Sequence, residues 1–497
     1  AVLCYLDDQR AKEYPDMLQY TGIWPKTEEL DRVTFGFNLT NRQGGKLRHL
    51  LQAGEKVVLR GQVKGIGLEP YFMDVVVAHI RGSKLPGEEL VFSAHLDHPK
   101  ESANDNASGS AAILDIARSL KALIDDGRLP RPQRSIRFIW VPEWFGTMAY
   151  IDAHPEMTGP ALGGTFLANL NLDMVGENTE LLHSKLILTR TPDSMPSVLN
   201  DVIANMAAMV DGMNVRTPRG SLSEFNYRVT PYSGGSDHMM FIDRKIPGVM
   251  FSHSPDYTHH TSEDTPDKVD PVELERCEII AASALLYLAN LTVSQARELA
   301  LVTAANSNGR LGDALAKASR HVHDMSNGRV EEQWTEAQNV LDHAFVREQA
   351  TLNSILDFNA DSAVRVVVVN LQKELARQYA SHANLLKNLA ETEGGVQLAP
   401  LSDPKSDPRV PMRLSRGPLD FGLPQEKLAR SERAWYEGPE FTLDRTQRFE
   451  LVNFIDGKRS VSEIRNALSA EFAPVELRVV AHYLEDLAKV GMLKWRE

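Results

Sequence analysis

The chain has 497 residues, a formal net charge of -13 at neutral pH, 42% hydrophobic residues and 24% charged residues. This length exceeds what one hydrophobic core usually supports, so we expect several domains. The acidic balance argues against a nucleic-acid surface, and no apolar run approaches the ~20 residues that a transmembrane helix needs, so no membrane span is expected.

The cysteine content favours a reducing compartment. The chain contains only Cys4 and Cys277, too few for a disulfide framework or a thiolate metal cluster. We therefore expect a cytoplasmic location. Because the chain starts at Ala1 rather than at a methionine, a removed leader would leave the compartment undetermined.

Residues 1–55 are expected to be the end of a small β-rich lobe, and residues 56–290 an α/β domain. In the second range, short β-branched runs alternate with helical stretches. The predicted strands are residues 57–63, 73–80, 90–95, 136–141, 167–173, 186–190 and 248–252. One helix is predicted from a cap at Ser108 to a stop at Gly127, and another over 197–210.

The apolar character of the later strands predicts the layer order. Because these strands are nearly continuous in apolar residues, they should be covered on both faces. We therefore predict an α/β fold with a mostly parallel mixed sheet and helices on both faces, plus a helical region and a C-terminal winged-helix-like domain.

Residues 291–395 contain no proline and are rich in helix formers, which predicts long helices. An apolar stripe in this region suits either core packing or the seam of a homo-oligomer. Its members are Leu371, Leu375, Leu385 and Leu389. Residues 396–438 are rich in proline and are expected to form a linker.

Residues 439–497 predict three amphipathic helices followed by a short strand, which is a winged-helix pattern. Acidic and basic residues are nearly balanced in number here, so a peptide or a second subunit is a better partner than DNA. The pattern resembles PqqD-like peptide-binding modules. A structural cap or a dimerisation arm is the alternative.

The residues that carry chemistry stand at the ends of apolar runs or in polar stretches beside them. They are His95, Asp97, Asp105, Glu143, Asp173 and His260. Imidazole nitrogen and carboxylate oxygen are zinc ligands, and open α/β sheets bind ligands at the carboxyl ends of their strands. A metal would also offset the cost of bringing several carboxylates together. We therefore predict a site for one or two zinc ions, with Asp105 as the natural bridge.

The order and neighbours of these residues resemble the M28 family of zinc aminopeptidases over about residues 85–290. The similar segments are HLD, NDNASG, RFIWVPE, NLDMVG, GGSDHMMF and HTSEDTPD. The resemblance implies a zinc exopeptidase-like fold and a peptide substrate.

Carried over to this chain, the resemblance implies five zinc ligands: His95 and Asp173 for one ion, Glu143 and His260 for the other, and Asp105 for both. Asp97 would orient His95 by accepting its second ring N–H. The resemblance also implies a cis peptide bond between Asp105 and Asn106.

One position departs from the family pattern. The family has two adjacent glutamates at the end of this strand, one as general base and one as ligand, whereas this chain has Pro142-Glu143 and a shortened loop. Glu143 must then be either base or ligand, unless Glu177 or Glu263 fills the missing role. We favour an active enzyme with altered metal stoichiometry over an inactive one.

Three further residues are expected near the substrate. The family places the GGSDHMMF loop beside the metals, so Asp237 and His238 should border the substrate pocket; helix capping is the alternative role of Asp237. Tyr257 is a candidate donor to the developing oxyanion, although a partly buried tyrosine is the commoner outcome. Candidates for binding the substrate α-ammonium group are Glu177, Glu224 and Glu263.

The function expected from these residues is that of a zinc metallo-aminopeptidase, which releases N-terminal residues from peptides by metal-activated water. Glu143 and Asp97 are its expected catalytic residues. The alternatives are a peptidase-fold binding scaffold without activity, and a glutaminyl cyclase or amide hydrolase built on the same fold.

Overall fold

The computed structural model describes residues 2–23, 25, 27–32, 35–65, 67, 71–98, 100, 102–327, 330–395, 406–418 and 422–497. Residues 396–405 and 419–421 of the predicted linker lie outside the described residues.

Seven strands form one mixed sheet, in the order β3-β5-β4-β6-β9-β7-β8. The strands of the described residues are β1 (Val2–Tyr5), β2 (Gly36–Leu39), β3 (Val76–Ile80), β4 (Leu85–His95), β5 (Arg134–Val141), β6 (Phe166–Leu172), β7 (Lys185–Thr189), β8 (Tyr227–Thr230), β9 (Gly248–Ser254), β10 (Pro411–Arg413) and β11 (Leu493–Trp495). The β3–β5 and β7–β9 pairs are antiparallel, and the other neighbouring pairs of the sheet are parallel. The predicted mixed, mostly parallel sheet is therefore confirmed.

Helices follow or separate these strands and dominate the second half of the chain. They are α1 (Asn41–Gln52), α2 (Gly109–Asp125), α3 (Phe145–Ala153), α4 (Thr179–Leu182), α5 (Leu199–Gly212), α6 (His238–Asp243), α7 (Pro271–Ala289), α8 (Val293–His323), α9 (Val330–Asn353), α10 (Ile355–Phe358), α11 (Ser362–Gly394), α12 (Arg430–Glu437), α13 (Arg445–Asn453), α14 (Val461–Glu471) and α15 (Leu477–Lys489). None of the helices described is both long and apolar enough to cross a membrane.

The sheet has an apolar core on each face. Alternate residues of a strand point to opposite faces, so Leu90 and Phe92 of β4 pack with α2, α5 and α7, whereas Val91 packs with α3 and α6. All of these side chains are buried. The predicted helices on both faces are therefore confirmed.

The sheet order places three strand ends side by side. β4 lies between β5 and β6 and is parallel to both, so the carboxyl ends of the three strands meet at one edge. His95 is the last residue of β4, Asp173 directly follows β6, and Glu143 stands two residues after β5. Their neighbourhood follows from topology alone.

Three local expectations differ from the structure. Residues 57–63 form no strand, and Val58 there is 79% exposed. β8 is an additional strand of only four residues, too short to show a clear pattern. Ser108 precedes α2 without capping it, because its hydroxyl donates to the Asn104 carbonyl and accepts from the Val175 amide.

The predicted apolar stripe on α11 divides into a buried and an exposed part. Leu375 is 2% exposed and packs into the core formed with α8 and α9. Leu385 and Leu389 are 48% and 39% exposed. The homo-oligomer seam stays a prediction.

The C-terminal helices α13, α14 and α15 share one apolar core, to which Leu493 of β11 also contributes. β11 pairs with β10, a strand that comes from the predicted linker range. The winged-helix interpretation of this module stays a prediction. The module packs against the α/β domain, because Phe449 of α13 stacks on Tyr232 with ring centroids 5.5 Å apart.

Candidate metal centre

His95 is held at the end of β4 by the main chain of its own loop. Its Nδ1 lies 3.0 Å from the Asp97 carbonyl oxygen and 3.8 Å from the Asp97 carboxylate. That carboxylate instead accepts the Glu143 amide at 2.6 Å. The predicted orientation of His95 by Asp97 thus runs through the carbonyl, and the Asp97 side chain fixes the loop that carries Glu143.

Asp105 lies at the centre of the site. It belongs to the buried π-type turn Ala103–Ser108, and the peptide bond to Asn106 is cis, as the family resemblance implies. The Asp264 carboxylate accepts the main-chain amides of Asn104 and Asp105, at 2.7 and 3.0 Å. Asp264 thereby fixes the turn from outside the metal centre.

Each carboxylate oxygen of Asp105 faces a different set of imidazoles. Oδ1 lies 3.2 Å from Nε2 of His95. Oδ2 lies 3.4, 3.2 and 3.1 Å from Nε2 of His98, His259 and His260. This is the geometry expected of a carboxylate shared between two cation sites.

The structure brings the predicted ligands together in two groups around Asp105. In one group His95, Glu143 and Asp173 converge, and in the other His98, Asp105 and His260. Within each group the possible ligand atoms lie within 4.8 Å of one another.

The place of Glu143 differs from the one that the resemblance implies. It joins His95 and Asp173 rather than His260, because β5 is the direct neighbour of β4 and the shortened loop keeps Glu143 close to that strand end. His98 takes part in the group of His260 instead. The assignment of Glu143 to the same ion as His260 therefore stays a prediction, and its carboxylate lies with His95 and Asp173.

Burial and mutual charge shift the pKa values of this centre strongly. Burial, together with the nearby Asp173, raises the pKa of Glu143 to about 9. Burial opposes a charge on His95, but Asp173 and Asp105 outweigh it and raise the pKa of His95 to about 12. The clustered carboxylates thus strongly favour the binding of positive charge at this centre.

Asp237 and His238 lie behind the pocket wall. Both are completely buried at the start of α6. Asp237 Oδ1 accepts the Trp144 amide at 2.8 Å and the Thr147 hydroxyl at 2.6 Å, which ties α6 to the Glu143 loop. His238 Nε2 contacts the Ser233 carbonyl at 2.9 Å. Their predicted contact with substrate stays a prediction.

Tyr257 is 46% exposed, and its side chain is not part of the cavity wall. The spare carboxylates also lie apart from the cavity. Glu177 is fully buried, and burial raises its pKa to about 9; Glu224 is exposed; Glu263 accepts from Lys268 at 3.1 Å.

His98 and His259 were not predicted as neighbours of Asp105, and Asp264 was not predicted to fix its turn. His98 directly follows the recognised segment HLD, His259 directly precedes the recognised segment HTSEDTPD, and Asp264 lies inside the latter. The signal available in the sequence was that these residues are further histidines and a further aspartate close to the predicted ligands. Both adjacent histidines, His259 and His260, face Asp105 because of the loop conformation, which the sequence does not display.

A cavity of about 960 Å³ opens over this centre. Asp105, Glu143, Asp173 and Asp256 line it together with the histidines 259 and 260. Its far wall is formed by the loop of residues 230–235, which includes Tyr232. This volume accommodates several amino-acid residues of a substrate.

The donor set fits zinc. His95 uses Nδ1 toward the Asp97 carbonyl and His98 uses Nδ1 toward Ser102, so both can present Nε2 as the ligand atom. His98 Nε2 and Asp173 Oδ1 are buried atoms without a hydrogen-bond partner among the described residues. A cation between these groups would satisfy atoms that the protein leaves unsatisfied.

Comparison with known proteins identifies the domain that carries this centre. The model of Peptidase family M28 matches residues 75–285. No curated protein sequence matches the chain.

Three solved structures are similar in part. A zinc aminopeptidase from Bacillus subtilis has 23% identity over 43% of this chain and 49% of its own, with a TM-score of 0.35. An aminopeptidase from Aneurinibacillus sp. strain AM-1 has 25% identity over 52% and 58%, with a TM-score of 0.35. A candidate peptidase from Clostridium acetobutylicum has 15% identity over 99% and 73%, with a TM-score of 0.37.

The chain spans about half the length of the Bacillus subtilis protein. These structural similarities are too low to assign the role of any residue. The assignment of the domain rests on the family match and on the segments recognised in the sequence. Residues 75–285 of this chain are therefore a Peptidase family M28 domain.

Proposed function

We propose that the protein is a zinc metallo-aminopeptidase. The observation that carries the proposal is the pair of ligand groups at the floor of an open cavity, of which one contains Asp105 and the other contacts Asp105 through His95. Three histidines face one oxygen of Asp105, and His95 faces the other. Such a donor set suits two zinc ions at one carboxylate.

We assign the residues that would hold zinc by group. His95 and Asp173 would hold one ion, His98 and His260 the other, and Asp105 both. Zinc, when bound here, supplies a Lewis acid that polarises the scissile carbonyl.

Glu143 has the position of a proton carrier. It lines the cavity, and its main chain is fixed by Asp97 while its carboxylate stays beside His95 and Asp173. With zinc beside it, the Glu143 carboxyl group would be ionised, and the carboxylate would accept a proton from the attacking water and return it to the leaving amine. This role uses one glutamate where the family pattern has two.

The charge of the cavity supports a substrate with a free N-terminus. Asp256 lines the cavity and is not assigned to zinc or to proton transfer, so its negative charge can attract an α-ammonium group. An aminopeptidase is therefore favoured over an enzyme that acts inside a chain. A glutaminyl cyclase variant would need an N-terminal glutamine, which the same assays can include.

The test compares the wild-type protein with Glu143→Gln. Glutamine keeps an oxygen ligand but cannot carry a proton, so we expect kcat on unblocked peptides to fall by about 10²–10⁴-fold while the zinc content stays unchanged. Metal content is measured by mass spectrometry. Peptide cleavage is followed with free and N-acetylated peptides, with and without chelator.

Glu180→Gln is the matched control, because Glu180 is an exposed glutamate on α4, away from the centre. It should retain wild-type activity. Loss of zinc in Glu143→Gln would make Glu143 a ligand instead of the base. If the wild-type protein binds no zinc and shows no chelator-sensitive cleavage, the protein is a binding scaffold and not an enzyme.

A further inference from the structure

A second cavity, of about 530 Å³, lies where three parts of the chain meet. Its walls are the segment of residues 190–201 after β7, the facing sides of α8 and α9, and Glu471 at the end of α14. We call it the junction cavity. Its volume is within the range of small-molecule binding sites.

The junction cavity is distinct from the metal centre. Thr189, at the end of β7, lines the cavity over the metal centre, whereas the next residue, Arg190, lines the junction cavity. Successive residues of an extended chain point in opposite directions, which explains this division. Pro231 lies between the two cavities and lines both.

Four cationic side chains line the junction cavity: Arg190, Arg310, Lys317 and Arg347. Arg310 donates to Asp201 at 2.7 Å and to Glu348 at 2.7 Å. Its charge is therefore compensated within the protein.

The next two cations are also engaged. Arg347 donates to Asp193 and to Glu348, each at 2.9 Å. Lys317 donates to the Ala470 carbonyl at 2.7 Å, at the carboxyl end of α14. These contacts join the α/β domain, the long helices and the C-terminal module.

Arg190 differs from the other three cations. Its guanidinium forms no hydrogen bond and no ion pair with the residues that the structure describes. Its main-chain amide is fixed by the Thr230 carbonyl at 3.1 Å, so the residue cannot easily turn away. Burial lowers the pKa of Arg190, but a guanidinium stays protonated at neutral pH. A cation in this position is costly unless an anion accompanies it.

Asp193 and Glu348 attract Arg190 through space, but neither accepts a hydrogen bond from its guanidinium. Asp193, Asp201 and Glu348 are occupied by Arg310 and Arg347. Burial and the adjacent Glu450 raise the pKa of Glu471 well above its usual value, which disfavours the charged form of Glu471. Asp313 is exposed at the rim. Four cations therefore line the cavity, whereas the three carboxylates Asp193, Asp201 and Glu348 already accept hydrogen bonds from Arg310 or Arg347.

We propose that the junction cavity is a binding site for a small organic anion, held through the guanidinium of Arg190. The planar fork of a guanidinium pairs with a carboxylate or a phosphate group, so the ligand carries one of these groups. Because the cavity walls come from three parts of the chain, the bound anion also strengthens their association.

The test is calorimetric titration of the full chain with inorganic phosphate and with citrate, at a constant ionic strength set with chloride. We expect saturable binding of one of them to the wild type and at least a tenfold weaker affinity in Arg190→Gln. Binding of phosphate alone assigns a phosphate ligand, and binding of citrate alone a carboxylate ligand. Arg228→Gln is the matched control, since Arg228 is exposed on β8 and does not line the cavity.

Thermal unfolding separates this role from a structural one. Arg190→Gln removes a half-buried charge that has no hydrogen-bonded partner among the described residues, so its unfolding temperature without added anion should equal or exceed that of the wild type. The anion should then raise the unfolding temperature of the wild type and of Arg228→Gln only. Arg190→Lys, which keeps the charge but not the fork, should bind with intermediate affinity.

Two results would overturn the proposal. One is equal binding of both anions to the wild type and to Arg190→Gln, or no binding to the wild type at about 10 mM. The other is a lower unfolding temperature of Arg190→Gln without anion and an unchanged response to anion, which would make Arg190 a structural residue.

Discussion

Glu143 is positioned through its main chain. Asp97 accepts the amide of Glu143, and Asp237 accepts the next amide, that of Trp144. Trp144 has a φ of 63°, a left-handed conformation that is uncommon for a residue with a Cβ. Two buried or half-exposed carboxylates thus hold a sharp turn that sets the direction of the Glu143 side chain.

Replacement of Asp237 should therefore affect catalysis without contact to substrate. Asp237→Ala leaves the Trp144 amide and the Thr147 hydroxyl without their acceptor, at a cost of roughly 1–3 kcal/mol for each buried donor. We expect kcat to fall about 10- to 100-fold, with KM changed much less.

Asp237→Asn is the control for this prediction, because its amide oxygen can still accept both hydrogen bonds. Its kcat should remain within a few-fold of the wild-type value. Steady-state kinetics and zinc analysis of both variants provide the measurement. Equal activity of Asp237→Ala and Asp237→Asn would contradict the positioning role.

The residues of the centre were predictable to the extent that strand ends determine them. His95 and Asp173 close apolar strands whose neighbourhood in a parallel sheet follows from the fold class. His98 and His259 approach Asp105 through loop conformations, which depend on tertiary packing. Whether Glu143 lies with His95 and Asp173 or with His260 depends on both the length of its loop and the order of the strands.

Among the elements, α13 is the one that connects the C-terminal module to the cavity over the metal centre. Phe449 stacks on Tyr232, a residue of that cavity wall, and the Arg445 guanidinium lies 5.0 Å from the centre of the Trp144 ring. The next residue after Phe449, Glu450, accepts hydrogen bonds from the amide of Ser194 at 2.6 Å and from the hydroxyl of Ser194 at 2.8 Å. The element therefore supports the wall of the cavity from outside.

The docking of α13 should depend on pH through Glu450. Burial raises the pKa of Glu450 from 4.5 to about 7, and the acid Glu471 and the base Lys245 are its charged neighbours. Because the folded state binds this proton more tightly, the stabilisation is complete below about pH 4.5 and is lost as the pH rises to about 7.

We expect the stability of the wild type relative to Glu450→Gln to fall over this pH range by roughly 2 kcal/mol. Thermal or urea unfolding of both proteins from pH 4.5 to 8 measures the difference. Glu440→Gln is the control, since Glu440 is an exposed acid of the same module. Parallel pH profiles for the wild type and Glu450→Gln would disprove the prediction.

Elements were predictable where their side chains are buried. The strands β4, β5, β6 and β9 correspond to predicted apolar runs, because burial on both faces requires apolar residues throughout. Residues 57–63 are also rich in β-branched and apolar residues, but they are exposed and form no strand. Their composition alone therefore led to a wrong strand prediction. β10 was missed because its partner, β11, lies near the other end of the module.

At the scale of the whole molecule, metal binding should contribute to stability. The centre draws on residues from β4, the turn before α2, β6 and the segment after β9, so zinc would connect distant parts of the chain. A ligand at a thousandfold excess over its Kd stabilises the folded state by about 4 kcal/mol. Removal of zinc should therefore lower the unfolding temperature, and its return should restore it.

The measurement is thermal unfolding of chelator-treated protein before and after zinc is added back. Asp105→Asn is the control, because it weakens the carboxylate that both ligand groups share. Its unfolding temperature should respond to zinc far less than that of the wild type. An identical response of the two proteins would place the stabilising zinc elsewhere.

The position of Asp105 between the two ligand groups has a consequence for biosynthesis. His95, His98 and Asp105 leave the ribosome early, but His259 and His260, which also face the second oxygen of Asp105, are made only after the seven strands of the sheet have been synthesised. The nascent chain therefore lacks a complete centre until β9 has joined the sheet. The proposed peptide hydrolysis would therefore begin only when the domain is complete.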